Sequence, residues 1–459
     1  MTEDFITTKW ENFLHTHLVF EKGENMNVLK EKGMPFEKQW RNWHELVRRP
    51  FDHSDVDCYT RTRQILMNGI EVEAWGFKHA LIRLCPHLDN EDRKLLARIR
   101  RIEDMQETTV NYLTPSGQSV LDTTLGYEQV AVDLTAWLGQ NEPDKYVKET
   151  YDFGLLEDFD HLYRYSQWSY MMEGSDPNHI LQNQTDVVIG RPTQYHHNCS
   201  AMRLRKPYDK DKTSPQTKVN ILTLLSGEQQ THNFYAEHGM MYGNDDLRRL
   251  YGEIGDVEEE HVSMYESLID PDETPLEKLL LHEFTEVCTY HSCYQDETDE
   301  RLKLLWEEFL AMEIEHLHLV SELYKKHENR DPEEIIGTEL VMPCHFESQK
   351  DYVTKILKKE TGKRLDGDTG YAYIKELPKD WTGYDVQNTV NSDGAPSEQA
   401  IQNIKTSIGR DIVSADKKLI EAQPELLKEA LEEKSKAPNT VSVAEYEEMT
   451  LIEPFDFDV

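Results

Sequence analysis

Two stretches of this chain place a glutamate three residues before a histidine inside an apolar helical pattern: Glu258 with His261, and Glu313 with His316. At that spacing both side chains sit on one face of an α-helix, one turn apart. Each pair follows a helical stretch that carries a glutamate of its own, Glu228 in LLSGEQQTHNFYAEH and Glu283 in LLLHEFTEVCTYH. A glutamate from each of two helices and Glu-x-x-His from each of two others supplies four carboxylates and two imidazoles. That set suits two Fe(II) ions, with Mn(II) an alternative, bridged by carboxylates ~3.5–4 Å apart and open to O2 or H2O2.

Motif frequency carries no weight here. With 87 acidic residues and 19 histidines in 459, roughly 3.6 acid-x-x-His matches arise by chance, and five occur. Register carries the argument instead. Glu228 precedes Glu258 by 30 residues, as Glu283 precedes Glu313. Tyr235 and Tyr290 each follow an opening glutamate by seven residues, two turns along the same face. They are the candidate catalytic residues, as hydrogen-bond donors to a ligand carboxylate rather than as radicals.

Shifting the whole set back by 155 residues lands on Glu73, Glu103, Glu128 and Asp158, all acidic, and takes His316 to His161 and His261 to Gln106. Arg93 and Arg248, Leu113 and Leu268, and Asp176-Pro177 and Asp331-Pro332 also match at this shift. The pattern is a tandem duplication of a four-helix unit. The second unit, with Glu228, Glu258, His261, Glu283, Glu313 and His316, is the expected metal site; Glu286 is an extra ligand or a surface residue. The first, with Glu73, Glu103, Glu128, Asp158 and His161, is a weakened copy that either binds metal or serves as scaffold.

The elements that position these groups follow from periodicity and breakers. An all-α fold is expected: an N-terminal helical extension (1–59), a first four-helix bundle (60–175), a linker (176–216), a second bundle (217–332) and a mixed, irregular tail with helices (333–459). Phe5 to Phe20 and Phe36 to Val47, with Trp40 and Trp43, read as helices docked on the first bundle. Asp89 or Asn90 caps the second helix, Ser116 or Ser119 opens the third, and Pro143 sits in the first turn of the fourth. Positions 247, 250, 254, 258, 261 and 265 form one inward stripe, and 302, 305, 309, 313, 316, 320 and 323 another. The acidic candidates therefore interrupt core stripes, where carboxylates without partners cost several kcal/mol each. The linker holds Tyr195-His196-His197 and a basic patch at Arg203, Arg205 and Lys206, read as a loop draped over the bundles. In the tail, residues 362–385 read as loops with a short hairpin, Ser397 to Lys434 as amphipathic helix, and the whole as a docking or oligomer arm.

Composition excludes several classes. A net charge of −37 argues against nucleic acid and anionic membrane as partners. No apolar run approaches the ~20 residues that span a bilayer, and the acidic N-terminus lacks a signal-peptide layout, so cytoplasmic residence is expected. The six cysteines form no C-x-x-C pair, which removes a rubredoxin-type iron site; Cys288 and Cys293 read as buried thiols.

GEQQTHNFY, EEEHV, HEFTE and EIEHL resemble the ligand-helix motifs of the ferritin-like superfamily, and specifically those of rubrerythrin and bacterioferritin. The resemblance implies tandem ferritin-like bundles, with a non-haem di-iron centre that reacts with O2 or H2O2 and a small substrate. It also implies a separate electron-donor protein, because the chain has no rubredoxin module. Glu283 follows His261 by only 22 positions, which leaves both a crossover and an up-down hairpin open. Iron storage and a metal-free helical scaffold stay open as other functions, as does a homo-oligomer.

Overall fold

The computed structural model describes residues 27–408 except His53 and Asp368. The expected helix from Phe5 to Phe20, the tail helix past 408 and the acidic C-terminus lie outside the described residues. Eight long helices dominate: α1 Cys58–Leu84, α2 Asn90–Asn111, α3 Val120–Asn141, α4 Lys145–Glu173, α5 Pro215–His238, α6 Asp245–Glu266, α7 Pro275–Asp296 and α8 Glu300–Glu328. Each begins at a side-chain cap: Asp57, Asp89, Ser119, Asp144, Ser214, Asn244, Thr274 and Asp299. These oxygens accept the first-turn N–H groups that an α-helix leaves unpaired. Pro143 lies just before the cap of α4 rather than in its first turn, because Asp144 takes the capping position.

The duplication is visible in the helix bounds. The pairs α2/α6, α3/α7 and α4/α8 are each offset by 155 residues at both ends. Gly174 and Asn329, offset by the same number, both end their helices in the left-handed conformation. The first helices depart from this: Cys58 and Pro215, which open α1 and α5, are 157 residues apart.

The two repeats do not fold as two tandem bundles. Hairpin α1–α2 packs with α7–α8, and hairpin α3–α4 packs with α5–α6, so each four-helix group takes one hairpin from each repeat. A seam between α1 and α5 joins the groups, and both of its helices also touch α3 and α7. Gly69 permits the close approach: a Cβ there would lie 2.8 Å from Gln230 Oε1 and 2.9 Å from the Ser226 carbonyl oxygen. Because the α6–α7 turn passes from one group to the other, the 22-residue spacing from His261 to Glu283 needs neither a crossover nor a hairpin within a bundle. The predicted stripes on α6 and α8 are buried throughout, from Leu247 to Tyr265 and from Leu302 to Leu323. Each large apolar side chain removed from water contributes about 1.5–3 kcal/mol.

The described segments outside the eight helices cover them rather than forming separate units. Residues 27–57 lie mostly along α8, with Met34 N–H donating to the Ala311 carbonyl and Phe36 buried. Only single turns are helical there, and Trp40 and Trp43 are exposed instead of docking. The tail folds back as α9 Lys350–Glu360, a hairpin of β1 Lys363–Asp366 and β2 Gly370–Tyr373, α10 Gly383–Val390 and α11 Pro396–Ile408. Tyr352, Ile356, Ile401 and Ile404 join the core of the α3–α6 group. The described part of the tail is thus packed on its own chain and is not a free arm. No helix among the described residues is long and apolar enough to cross a membrane.

Candidate metal centre

Ten of the eleven predicted ligands meet in two buried clusters, but not in the expected grouping. Glu128 from α3, Asp158 and His161 from α4, Glu228 from α5, and Glu258 and His261 from α6 converge in the first, all at most 1% exposed. Glu103 from α2, Glu283 from α7, and Glu313 and His316 from α8 converge in the second. The six residues predicted for one site in the second repeat therefore divide three and three. Helix periodicity aims a side chain at an interior without saying which hairpin lies across it, and here that hairpin comes from the other repeat.

The first cluster has the composition of a dinuclear site. Donor atoms of Asp158, Glu228, Glu258 and His261 all lie within 4.8 Å of one another, as do those of Glu128, His161 and Glu258. Glu258 belongs to both groups, so its carboxylate stands between two candidate positions. His261 Nδ1 is 3.2 Å from Glu258, 3.5 Å from Asp158 and 3.6 Å from Glu228. His161 Nδ1 is 2.8 Å from the other Glu258 oxygen. Both oxygens of Asp158 and Glu228, one each of Glu128 and Glu258, and His161 Nε2 and His261 Nδ1 are buried without a hydrogen-bond partner. Burial of that many unsatisfied acceptors is costly unless a group is bound among them, and a pair of divalent cations fits this donor set.

Burial, and then the neighbouring carboxylates, push Asp158 and Glu128 well above the usual carboxylate range. Burial likewise raises Glu228 to about 7. Burial would raise Glu258 too, but the His161 and His261 imidazoles more than offset it and hold it low. The imidazole of His261 is held well above its ordinary value: burial opposes its charge, and Glu228 and the other carboxylates outweigh burial.

Several supporting groups were missed from sequence. His261 Nε2 lies 2.8 Å from Glu157, which orients the ring so that Nδ1 faces the cluster. Glu157 in turn is bound by Arg191 and by Arg203, whose Nη1 is 2.8 Å away, and Arg203 reaches Glu260 at 2.5 Å. Arg203 of the linker's basic patch is thus a fully buried counter-charge and not a surface residue. His196, from the paired histidines, lies beside His161 with ring centroids 5.5 Å apart, and its Nε2 meets the Arg191 carbonyl. The Tyr235 hydroxyl donates to Glu128, across the cluster from α5 to α3.

The second cluster contains its own cation. Lys78 Nζ, fully buried, lies 2.5 Å from Glu103, 2.8 Å from Glu283 and 3.8 Å from Glu286. With α1 and α5 offset by 157, Lys78 corresponds to Tyr235, and its bond to Glu283 repeats that of Tyr235 to Glu128. Gln106 stands where His261 stands in the first cluster, and its Nε2 donates to Glu313 at 2.6 Å. His316 has Nδ1 3.0 Å from Glu313 and Nε2 2.8 Å from Gln39. Glu286 is buried here and is not a surface residue. Tyr290 donates to Glu71.

Glu73, the remaining predicted ligand, turns away and pairs with His282 at 2.9 Å. Glu71 takes the inward place, because the two-residue slip between α1 and α5 makes it the counterpart of Glu228. That slip was legible in hindsight from Glu71 and Lys78, seven residues apart on one helix face. An ammonium group and an amide among these carboxylates do not fit a second dinuclear metal site. Cys288 and Cys293 are buried and free. No family model, curated protein or solved structure matches the chain.

Proposed function

We propose that the cluster of Glu128, Asp158, His161, Glu228, Glu258 and His261 holds two iron ions, or a manganese–iron pair, as a non-haem carboxylate centre of the ferritin-like type that reacts with O2 or H2O2. The observation that carries this reading is the sharing of Glu258 between two groups of donors whose inward atoms have no other partner. Bound there, the metals supply the redox chemistry that no side chain of the cluster has. The protein's part is to gather four carboxylates that release their protons as metal binds, to fix the His261 ring through Glu157, and to place a proton at the Tyr235 hydroxyl beside Glu128. The substrate is a small molecule, and electrons not drawn from it come from a separate donor protein.

Lys78 supports a different role for the second cluster, that of a metal-free internal ion pair which keeps the degenerate copy folded. Metal content per chain by plasma mass spectrometry, after anaerobic Fe(II) loading, tests both readings. Two irons are expected, lost in Glu258→Ala and retained in Glu313→Ala. No stoichiometric metal in the wild type, or loss in Glu313→Ala alone, would overturn the assignment.

A further inference from the structure

A cavity of about 820 Å³ opens between α1, α2, α3 and α5, away from both clusters' donor atoms. Arg61 lines it, only 4% exposed, and makes no ion pair or hydrogen bond with any described residue; its Nε is buried without a partner among them. The acid whose charge bears on it most, Asp122, is already bonded to His179 and to its own capping box. Burial lowers the Arg61 guanidinium to about 10. Arginines almost never enter a protein interior unpaired, because the desolvation cost goes unreturned. The cavity also offers the stacked Tyr127 and Phe234 rings, 4.5 Å apart, and the Asn233 amide. Glu107, Glu237 and Arg48 are among its other polar lining residues.

We propose that this cavity binds a small organic monocarboxylate with an apolar body, its carboxylate seated on Arg61 and its body against Tyr127 and Phe234. A guanidinium presents a planar fork of donors that matches a carboxylate. Arg48, also in the wall, is already paired with Glu308, so Arg61 is the arginine of the wall left without a described partner, and beside two glutamates it disfavours a dianion such as phosphate. Tyr127 and Phe234 immediately precede Glu128 and Tyr235 on α3 and α5, the two helices that the cavity shares with the first cluster. The binding itself stands whether or not that cluster carries metal.

Calorimetric titration of the full chain with 3-phenylpropanoate tests it, with 3-phenylpropanamide and inorganic phosphate as comparisons. Saturable one-to-one binding of the acid is expected, at least tenfold tighter than that of the amide. In Arg61→Gln the acid should weaken at least tenfold to the level of the amide, the loss expected of one charge-assisted pair. Arg61→Gln should melt no lower than the wild type, since it removes an unpaired buried charge; a lower melting temperature would show that Arg61 has a structural partner and would overturn the proposal. Val72→Trp, which fills the cavity from α1 without touching the guanidinium, should abolish binding. Equal affinity for acid and amide, unchanged affinity in either variant, Arg61-dependent binding of phosphate alone, or no saturable binding at millimolar acid would each overturn it.

Discussion

Lys78 Nζ lies 2.5 Å from a Glu103 oxygen in one four-helix group, at the position that Tyr235 occupies in the other. A duplicated architecture has therefore resolved the same problem, carboxylates gathered in a low-dielectric interior, in two ways. One copy keeps an ammonium group as its permanent cation; the other leaves its donor atoms without protein partners.

Removing that ammonium should unmask the second cluster. Lys78→Met leaves Glu71, Glu103, Glu283, Glu286, Glu313 and His316 buried without a counter-charge. The metal-free variant should lose about 3–5 kcal/mol in denaturant melts, the usual effect of breaking a buried pair. Added Mn(II) or Fe(II) should restore much of it, with more than two metals per chain. A variant as stable as the wild type would mean that Lys78 does not neutralise the cluster.

Glu157 should control metal affinity without being a ligand. Glu157→Gln keeps the side-chain shape but weakens the hold on the His261 ring and leaves Arg191 and Arg203 without their shared carboxylate. Metal affinity should fall roughly 10–100-fold in competition with a chelator, the range seen for partners that orient ligands. Unchanged affinity would remove Glu157 from the centre.

The two tyrosines should separate. Tyr235→Phe deletes the donor to Glu128 and Tyr290→Phe deletes the donor to Glu71. Each should cost about 1–3 kcal/mol of stability, the usual penalty when a buried acceptor loses its donor. Only Tyr235→Phe should also weaken metal binding, because only Glu128 belongs to the proposed metal centre. Equal effects on metal binding would contradict the assignment of one centre.

Stability of the metal-free protein should depend on pH through Glu228. Its folded-state value of about 7 lies above the ordinary 4.5, so the folded chain keeps a proton that the unfolded chain has released. The corresponding stabilisation is full below about 4.5 and is lost as pH rises through about 7. Thermal melts of metal-free protein should show Glu228→Gln flattening this decline. Metal loading should reverse it, since the metals bind deprotonated carboxylates. An unchanged slope in Glu228→Gln would exclude this group as its source.

Much of the architecture was legible in the chain itself. Helix phase placed Glu258, His261, Glu313 and His316 on buried stripes, because a 3.6-residue period alone decides which side chains share a face, and the 155-residue shift pointed from the second repeat to Glu103, Glu128, Asp158 and His161. The 155-residue repeat reappears in the bounds of three helix pairs, because caps such as Asp89 and Asn244, or Ser119 and Thr274, fix where a helix begins. Glu73 failed for a local reason: α1 and α5 slip by two residues, and two residues on a helix turn a side chain through about 200°. Arg203 was misplaced and Lys78 went unmarked for another, since a basic residue reads as solvated surface until the carboxylates around it are known.

The sequence by itself determined the kinds of ligand, their helical faces and the twofold repetition, all of them properties of neighbours along one chain. Only the tertiary structure decided that α3–α4 packs across from α5–α6 while α1–α2 packs across from α7–α8. That choice put Asp158 and His161 opposite Glu258, and Lys78 among Glu103, Glu283 and Glu286. Spacing along a helix specifies the face presented but not what faces it, because the partner hairpin is selected by packing between segments far apart in sequence.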